Sequence, residues 1–304
     1  MADRRFGYRH VFRPSTPGRA AAVAAMALSA LVFAAMTLCA RLVSTGAAGS
    51  ALPAAEVTLF RFAFGTAVML PLLAYPRARL LGSDRVGLVW RGVSGGLAVL
   101  AFFLSLKYTS LTNAVLLNFS SIIFAPLFAA LLLRERLPRH SLPPLLAAAC
   151  GIVLVVRPEA GPPRMGDLYG LLSGVLSGSA ITAVRRLRTQ ETASSVFFYF
   201  SAIGIPIAAT GTLWSPWVWP SERGWWLLVA MAACSATGQM LMTYGYRYVR
   251  AAEGVLITLS QVVYSAMFGA LLLGEPLAPS TLLGGALVVA AAVRAGTMKH
   301  AGRV

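Results

Sequence analysis

Acidic residues are scarce in this chain: ten Asp and Glu stand among 304 positions, against 26 Lys and Arg. Charged residues of both signs reach only 12%, about half the share usual in a soluble domain. Cysteine and histidine are scarcer still. Cys39, Cys150 and Cys234 each stand alone in an apolar run, with no CxxC pair and no Cys/His spacing, so neither a zinc site nor a disulfide framework is expected. His10, His140 and His300 fall in the tails or in a loop. That removes most metal-based and His-based catalytic schemes. Paired carboxylates, or a nucleophile beside a base, are missing at mid-span as well, so an intramembrane enzyme lacks its parts.

Apolar residues are abundant, at 58%, and they come in long runs. No soluble domain of this size could bury so many runs of roughly 20 residues. The net charge of +16 would suggest nucleic acid on a soluble protein. Here most Arg stand in short stretches between apolar runs, and no basic stripe is interleaved with aromatics. Membrane topology accounts for the charge, and nucleic acid is not an expected partner. The N-terminal MADRRFGYRHVFRPSTPGRA is basic, and the run behind it, 20–40, is too long for a signal-peptide core. It reads as a first span that is retained.

Ten spans are expected, near 20–41, 54–75, 88–107, 112–133, 141–157, 167–185, 193–214, 224–246, 251–273 and 279–296. Outer-membrane strands would alternate polar and apolar residues, and these runs do not. Sorting the Lys and Arg between spans leaves about four on one side for each one on the other. Arg77, Arg79, Arg85 and Arg91 are counted together on the cytoplasmic side. The bias puts both termini in the cytoplasm. The Ala- and Arg-rich composition suggests a bacterial plasma membrane.

A sentence is written twice. ALLLRERL at 130–137 returns as ALLLGEPL at 270–277. At an offset of 140 without gaps, Tyr108 meets Tyr248, Ser120 meets Ser260, Phe128 meets Phe268 and Glu135 meets Glu275. Each half holds five spans, so the second half is expected to enter the membrane inverted. Two inverted halves can exchange conformations and open a central site to either face in turn. The expected fold is therefore an all-α membrane protein: ten transmembrane helices as two inverted five-helix repeats around a central cavity. Its divisions are a basic cytoplasmic tail (1–19), a first repeat (20–157), an outside linker (158–166), a second repeat (167–297) and a cytoplasmic tail (298–304).

These features resemble the EamA-type drug/metabolite transporters. The second half carries the resemblance in YVRAAEGVLITLSQVVYSAMFGALLLGEPLAPSTLLGGALVVAAA, and the first half in FRFAFG and NAVLLNFSSIIFAPLFAALLLRERL. It covers nearly the whole chain, and it is specific for fold and transport but not for substrate. The resemblance implies a cavity bounded by spans three, four, eight and nine, with help from one, two, six and seven. Spans five and ten stand at the periphery, and no cofactor is implied. The distantly related small multidrug exporters use an acidic residue within their first span. Here AAAVAAMALSALVFAAMTLCA has none, so proton coupling by that route is not expected.

Polar residues inside spans are costly unless they face a cavity or a partner. Span eight sets Ser235, Gln239, Thr243 and Tyr246 on one face, and span nine does the same with Thr258, Gln261 and Ser265. Span four offers Asn118 and Ser121. These are the candidate substrate contacts, although Ser, Thr and Gln also hold membrane helices together. Arg61, seven residues into span two, either anchors to a neighbouring carbonyl or to Glu56, or binds or gates an anion. Lys107 and Arg247, related by the repeat, either draw anions to opposite faces or snorkel at the interface. Glu253 is expected in a surface ion pair with Arg250. Glu135 and Glu275 read as loop or helix-end residues. Phe102, Phe103, Tyr199 and Tyr264 could wall a cavity or simply pack. Trp214, Trp217, Trp219, Trp225 and Trp226 form an interfacial belt, and Gly170, Gly174 and Gly178 allow a close helix crossing.

The expected function is secondary transport of a small organic metabolite, amphipathic or amino-acid-like and moving outward. The alternative is uptake of an anionic or nucleotide-related metabolite. Partners are the substrate and the bilayer, with the protein a monomer or homodimer. No metal or catalytic residue is expected.

Overall fold

The structure is a computed structural model that describes residues 16–47, 49–74, 80–109, 111–134, 142–156, 165–274 and isolated positions from 279 to 294. Glu135, Glu275, His10, His140, His300, most of the tenth expected span and most of the 158–166 linker lie outside the described residues.

The described residues are helical throughout their ordered elements, with no strand. A chain in lipid must satisfy its backbone within each segment, and the helix does so. The elements are α1 (Thr16–Ser44), α2 (Ala54–Met69, continued by a 3-10 turn at Leu70–Ala74), α3 (Arg85–Tyr108), α4 (Leu111–Asn118), α5 (Ser121–Leu133), α6 (Leu142–Val156), α7 (Met165–Leu187), α8 (Ala193–Thr212), α9 (Glu222–Gly245), α10 (Ala251–Thr258) and α11 (Ser260–Leu273). Counting α4 with α5 and α10 with α11, eight helices among the described residues are long and apolar enough to cross a membrane. The protein is a multi-pass membrane protein. Its outward leucines, such as Leu131 at 67% exposure and Leu271 at 76%, suit a lipid surface and not water.

Three helix starts carry polar caps. Asp84, Thr192 and Ser221 accept from the backbone N–H of Gly87, Ser195 and Gly224, at 2.9, 3.0 and 3.1 Å. The Asp84 cap starts α3 at Arg85, three residues before the expected start of that span. Arg91, within the expected span although its charge was counted with the cytoplasmic side, stands about two turns inside α3 and is buried.

The packing is paired. α1 lies along α9 and contacts α10 and α11, while α7 lies along α3 and contacts α4 and α5. Small residues permit both crossings. Gly238 and Gly245 of α9 face Phe33 and Met26 of α1. Gly170, Gly174 and Gly178 of α7 receive Leu117, Ser120 and Phe124, as their four-residue spacing led us to expect. α2 crosses α8 where Gly65 meets Ser201 and Gly204 meets Phe62.

Other details recur at the offset of 140. The fourth expected span breaks at Phe119–Ser120 and the ninth at Leu259. At each break the same backbone bond forms: Ile122 N–H to the Phe119 carbonyl at 2.9 Å, and Val262 N–H to the Leu259 carbonyl at 3.0 Å. α5 ends on Arg134 with φ 53° and α11 on Gly274 with φ 67°, both left-handed. The carbonyls of Leu106 and Tyr246, 140 apart, each accept from an arginine, Arg41 at 2.5 Å and Arg185 at 3.1 Å, although the arginines themselves do not stand at that offset. Each guanidinium thus satisfies carbonyls that a helix end leaves free.

Candidate functional site

A cavity of about 140 Å³ lies between the helices, lined from α1, α2, α3, α7, α8, α9, α10 and α11, and at the α4–α5 break. An apolar cavity near 150 Å³ is enough for a benzene-sized molecule. Six of the residues expected to touch a substrate line this one: Arg61, Asn118, Ser121, Gln239, Thr258 and Gln261. Phe33, Met36, Phe102, Phe119 and Phe200 give it apolar walls.

The amides are held but not exhausted. Asn118 donates to Ser173 at 3.0 Å and Ser177 at 3.1 Å, tying α4 to α7. Gln261 donates to Thr37 of α1 at 3.4 Å, and Gln239 to Thr243 one turn on at 3.4 Å. Among the described residues these bonds all use the amide NH2 groups, and all three residues line the cavity. Thr258 turns its hydroxyl back to the carbonyls of Gly254 and Val255.

Arg61 is 6% exposed, and its Nε donates to Ser235 Oγ at 2.5 Å. It pairs with neither of the anchors expected for it. Glu56, fully buried, accepts instead from the backbone N–H of Val218 at 2.8 Å and tethers the segment between α8 and α9. Glu56 is not among the residues that line the cavity. Thr243 stands behind Gln239. Ser265 and Tyr246 are buried outside the lining, with Tyr246 packed against Gly254. Lys107 and Arg247 are exposed at the ends of α3 and α9 and lie over the rings of Tyr108 and Tyr248, at 5.5 and 5.8 Å. Neither reaches the cavity. Glu253 is buried and pairs at 3.4 Å with Arg19 of α1, not with Arg250.

The residue that sequence reasoning missed is Arg91. It is 3% exposed, lines the cavity, and sets its guanidinium 4.0 Å from the centre of the Phe200 ring. The guanidinium of Arg61 lies 5.8 Å from the same centre. The two cations share one aromatic platform, and among the described residues no Asp or Glu lines the cavity. The available signal was Ser83-Asp84 ahead of an apolar run, a helix-start pattern that places Arg91 roughly 9 Å along the helix axis.

Beyond the cavity, Glu191 accepts from the backbone N–H groups of Ser83 and Asp84, at 2.6 and 2.7 Å. Arg188 Nε donates to the Thr243 carbonyl at 3.1 Å, and its Nη1 to the Glu191 carbonyl. Burial, and then the nearby Arg247, lower the Arg188 guanidinium's pKa from its ordinary value. Among the described residues no group of three His, Cys, Asp or Glu could hold a metal.

The profile of the EamA-like transporter family matches residues 20–157 and again 164–295. The pseudopaline exporter CntI of Pseudomonas aeruginosa (strain UCBPP-PA14) is 32% identical over 248 residues, covering 81% of this chain and 87% of its own. An uncharacterized transporter of Helicobacter pylori (strain ATCC 700392 / 26695) is 30% identical over 230 residues, with 69% and 74% covered. One protein of known crystal structure superposes with a TM-score of 0.75 over 91% of this chain and 96% of its own, at 22% identity.

Proposed function

Because the chain belongs to the EamA-like transporter family, we propose that it carries a small organic metabolite outward across the plasma membrane by alternating access. The observation that carries this is the central cavity, to which both halves contribute polar side chains: Arg61, Arg91 and Asn118 from the first, Gln239 and Gln261 from the second. The amides beside aromatic walls suit an amphipathic or amino-acid-like solute. Two five-helix halves of opposite orientation supply the motion, each half taking the other's conformation in turn. The recurrence at an offset of 140 supports such halves: the helix breaks, the left-handed ends and the arginine-capped carbonyls. Both termini stand in the cytoplasm on the Lys and Arg bias. The name of the P. aeruginosa relative as an exporter supports the direction.

The test is flux. Purified protein in liposomes loaded with a defined metabolite mixture should release one chemical class, saturably and faster when the same solute is present outside. Unsaturable release of many solutes would instead mark a channel and sink the proposal. Uptake would show as reversed preference in vesicles of known orientation.

A further inference from the structure

Among the described residues, the cavity is lined by two arginines and no acid. Arg91 Nε and Nη1 are buried without a hydrogen-bond partner. Arg61 has one side-chain hydrogen bond among the described residues, through Nε to Ser235, which leaves both terminal nitrogens of its guanidinium to the site. Buried unpaired charge is costly, and a cation inside a membrane protein answers to an anion, a carbonyl or water. Among the described residues neither arginine makes an ion pair with a carboxylate. Glu56, the acid nearest in sequence to Arg61, accepts from Val218 through Oε1 and is not part of the cavity lining. Both cations line the same cavity, and both lie near the ring of Phe200.

The place for Arg91 is built. A Cβ on Gly95, one turn further along α3, would lie 1.7 Å from Arg91 Nη1 and 2.9 Å from Phe200 Cε2. The missing side chain at Gly95 is the space in which the guanidinium lies. Across the offset of 140 the partner of Gly95 is Ser235, the hydroxyl that accepts from Arg61. One position thus supports Arg91 by being empty in the first half, and supports Arg61 by being polar in the second.

We infer that the transported solute is a small dianion, with two oxyanion charges held between Arg61 and Arg91 and an apolar body against Phe102 and Phe119. This rests on the transporter proposal above, but binding to the purified protein can be measured apart from flux. Guanidinium pairs carboxylate and phosphate alike, so the probes must separate those sources.

The experiment is calorimetric titration and thermal melting of the full chain in detergent. The probes are succinate, glutarate and glycerol 3-phosphate, with butyrate, 1,4-diaminobutane and sodium chloride as controls. At least one dianion should bind and raise the melting temperature, at least tenfold more tightly than butyrate. A dicarboxylate hit names carboxylates, and a glycerol 3-phosphate hit names a phosphate monoester. Arg91→Gln should weaken the hit at least tenfold, as the loss of a charge-assisted contact does, and Arg91→Lys less. Gly95→Ala keeps both arginines and should match Arg91→Gln in affinity, with its unliganded melting temperature near the parent's. The inference is overturned if no dianion binds better than butyrate or chloride, or if Gly95→Ala and Arg91→Gln bind like the parent. Dianion binding without flux in liposomes would leave the site standing and sink the transporter proposal alone.

Discussion

Replacing Gly174 by alanine should destabilise the protein, although the same change in most helices does the opposite. Ala is favoured over Gly by about 1 kcal/mol in a helix interior. At Gly174 the added Cβ would lie 2.0 Å from Ser120 Oγ, 2.7 Å from the Leu117 carbonyl oxygen and 3.1 Å from that of Asn118. Ser120 can rotate away. The two carbonyls belong to the backbone of α4 and can be relieved only if α7 backs off. Overpacking of this kind costs typically 1–3 kcal/mol, and contact with backbone places Gly174 in the upper part of that range. The net expectation is a loss of about 1–2 kcal/mol. In a melt followed by tryptophan fluorescence, the midpoint should fall by a few degrees. The displacement also pulls on the Asn118 bonds to Ser173 and Ser177, so affinity for any cavity ligand should fall too. A midpoint equal to or above the parent's would refute a backbone-to-backbone crossing of α4 and α7.

Arg134→Gly should raise the midpoint and Gly274→Ala should lower it, each by about 1 kcal/mol, because both positions are left-handed and only glycine is at ease there; opposite signs in paired melts check this. Glu56→Gln keeps an acceptor for the Val218 N–H and should cost under about 1 kcal/mol, whereas Glu56→Ala leaves that donor unanswered at about 1–3 kcal/mol. Protease cleavage between α8 and α9, near Val218, should be faster in the alanine variant alone. Asp84→Ala removes the α3 cap and should cost about 1 kcal/mol; its contact with Arg186, at 3.2 Å and half exposed, adds little. A loss above roughly 2 kcal/mol would mean the ion pair matters more than its exposure allows.

Much of the architecture was legible because lipid leaves a chain few choices. Apolar run length located the described spans to within a few residues, and the offset of 140 anticipated where similar details recur. Helical spacing picked out Asn118, Ser121, Gln239, Thr258 and Gln261, since a polar face in a membrane helix must turn inward. Periodicity names a face but not the partner across it. It could not distinguish Gln239, which lines the cavity, from Ser265 on a face that packs, nor foresee that Glu253 finds Arg19, 234 positions away. Arg91 fell inside the expected third span but was weighed only as a topology signal; in the folded protein it lines the cavity and supplies half of the charge there. Arg41 and Arg185 were treated as side markers, yet both close helix ends through contacts that only the assembled bundle creates.

The unbalanced arginine pair has an electrical consequence. If the solute carries two negative charges and the guanidiniums stay with the protein, each cycle moves two charges through the membrane field. Each is worth about 2.3 kcal/mol per 100 mV, so an inside-negative potential of that size pushes such a solute outward with roughly 4–5 kcal/mol. That sustains a concentration ratio of about three orders of magnitude with no coupling ion. A carrier of this kind is an exporter wherever the cell is polarised and becomes an importer when the voltage is reversed. Potassium gradients clamped with valinomycin in liposomes would show it as a flux whose direction follows the imposed potential, and a flux indifferent to voltage would mean the solute crosses without net charge.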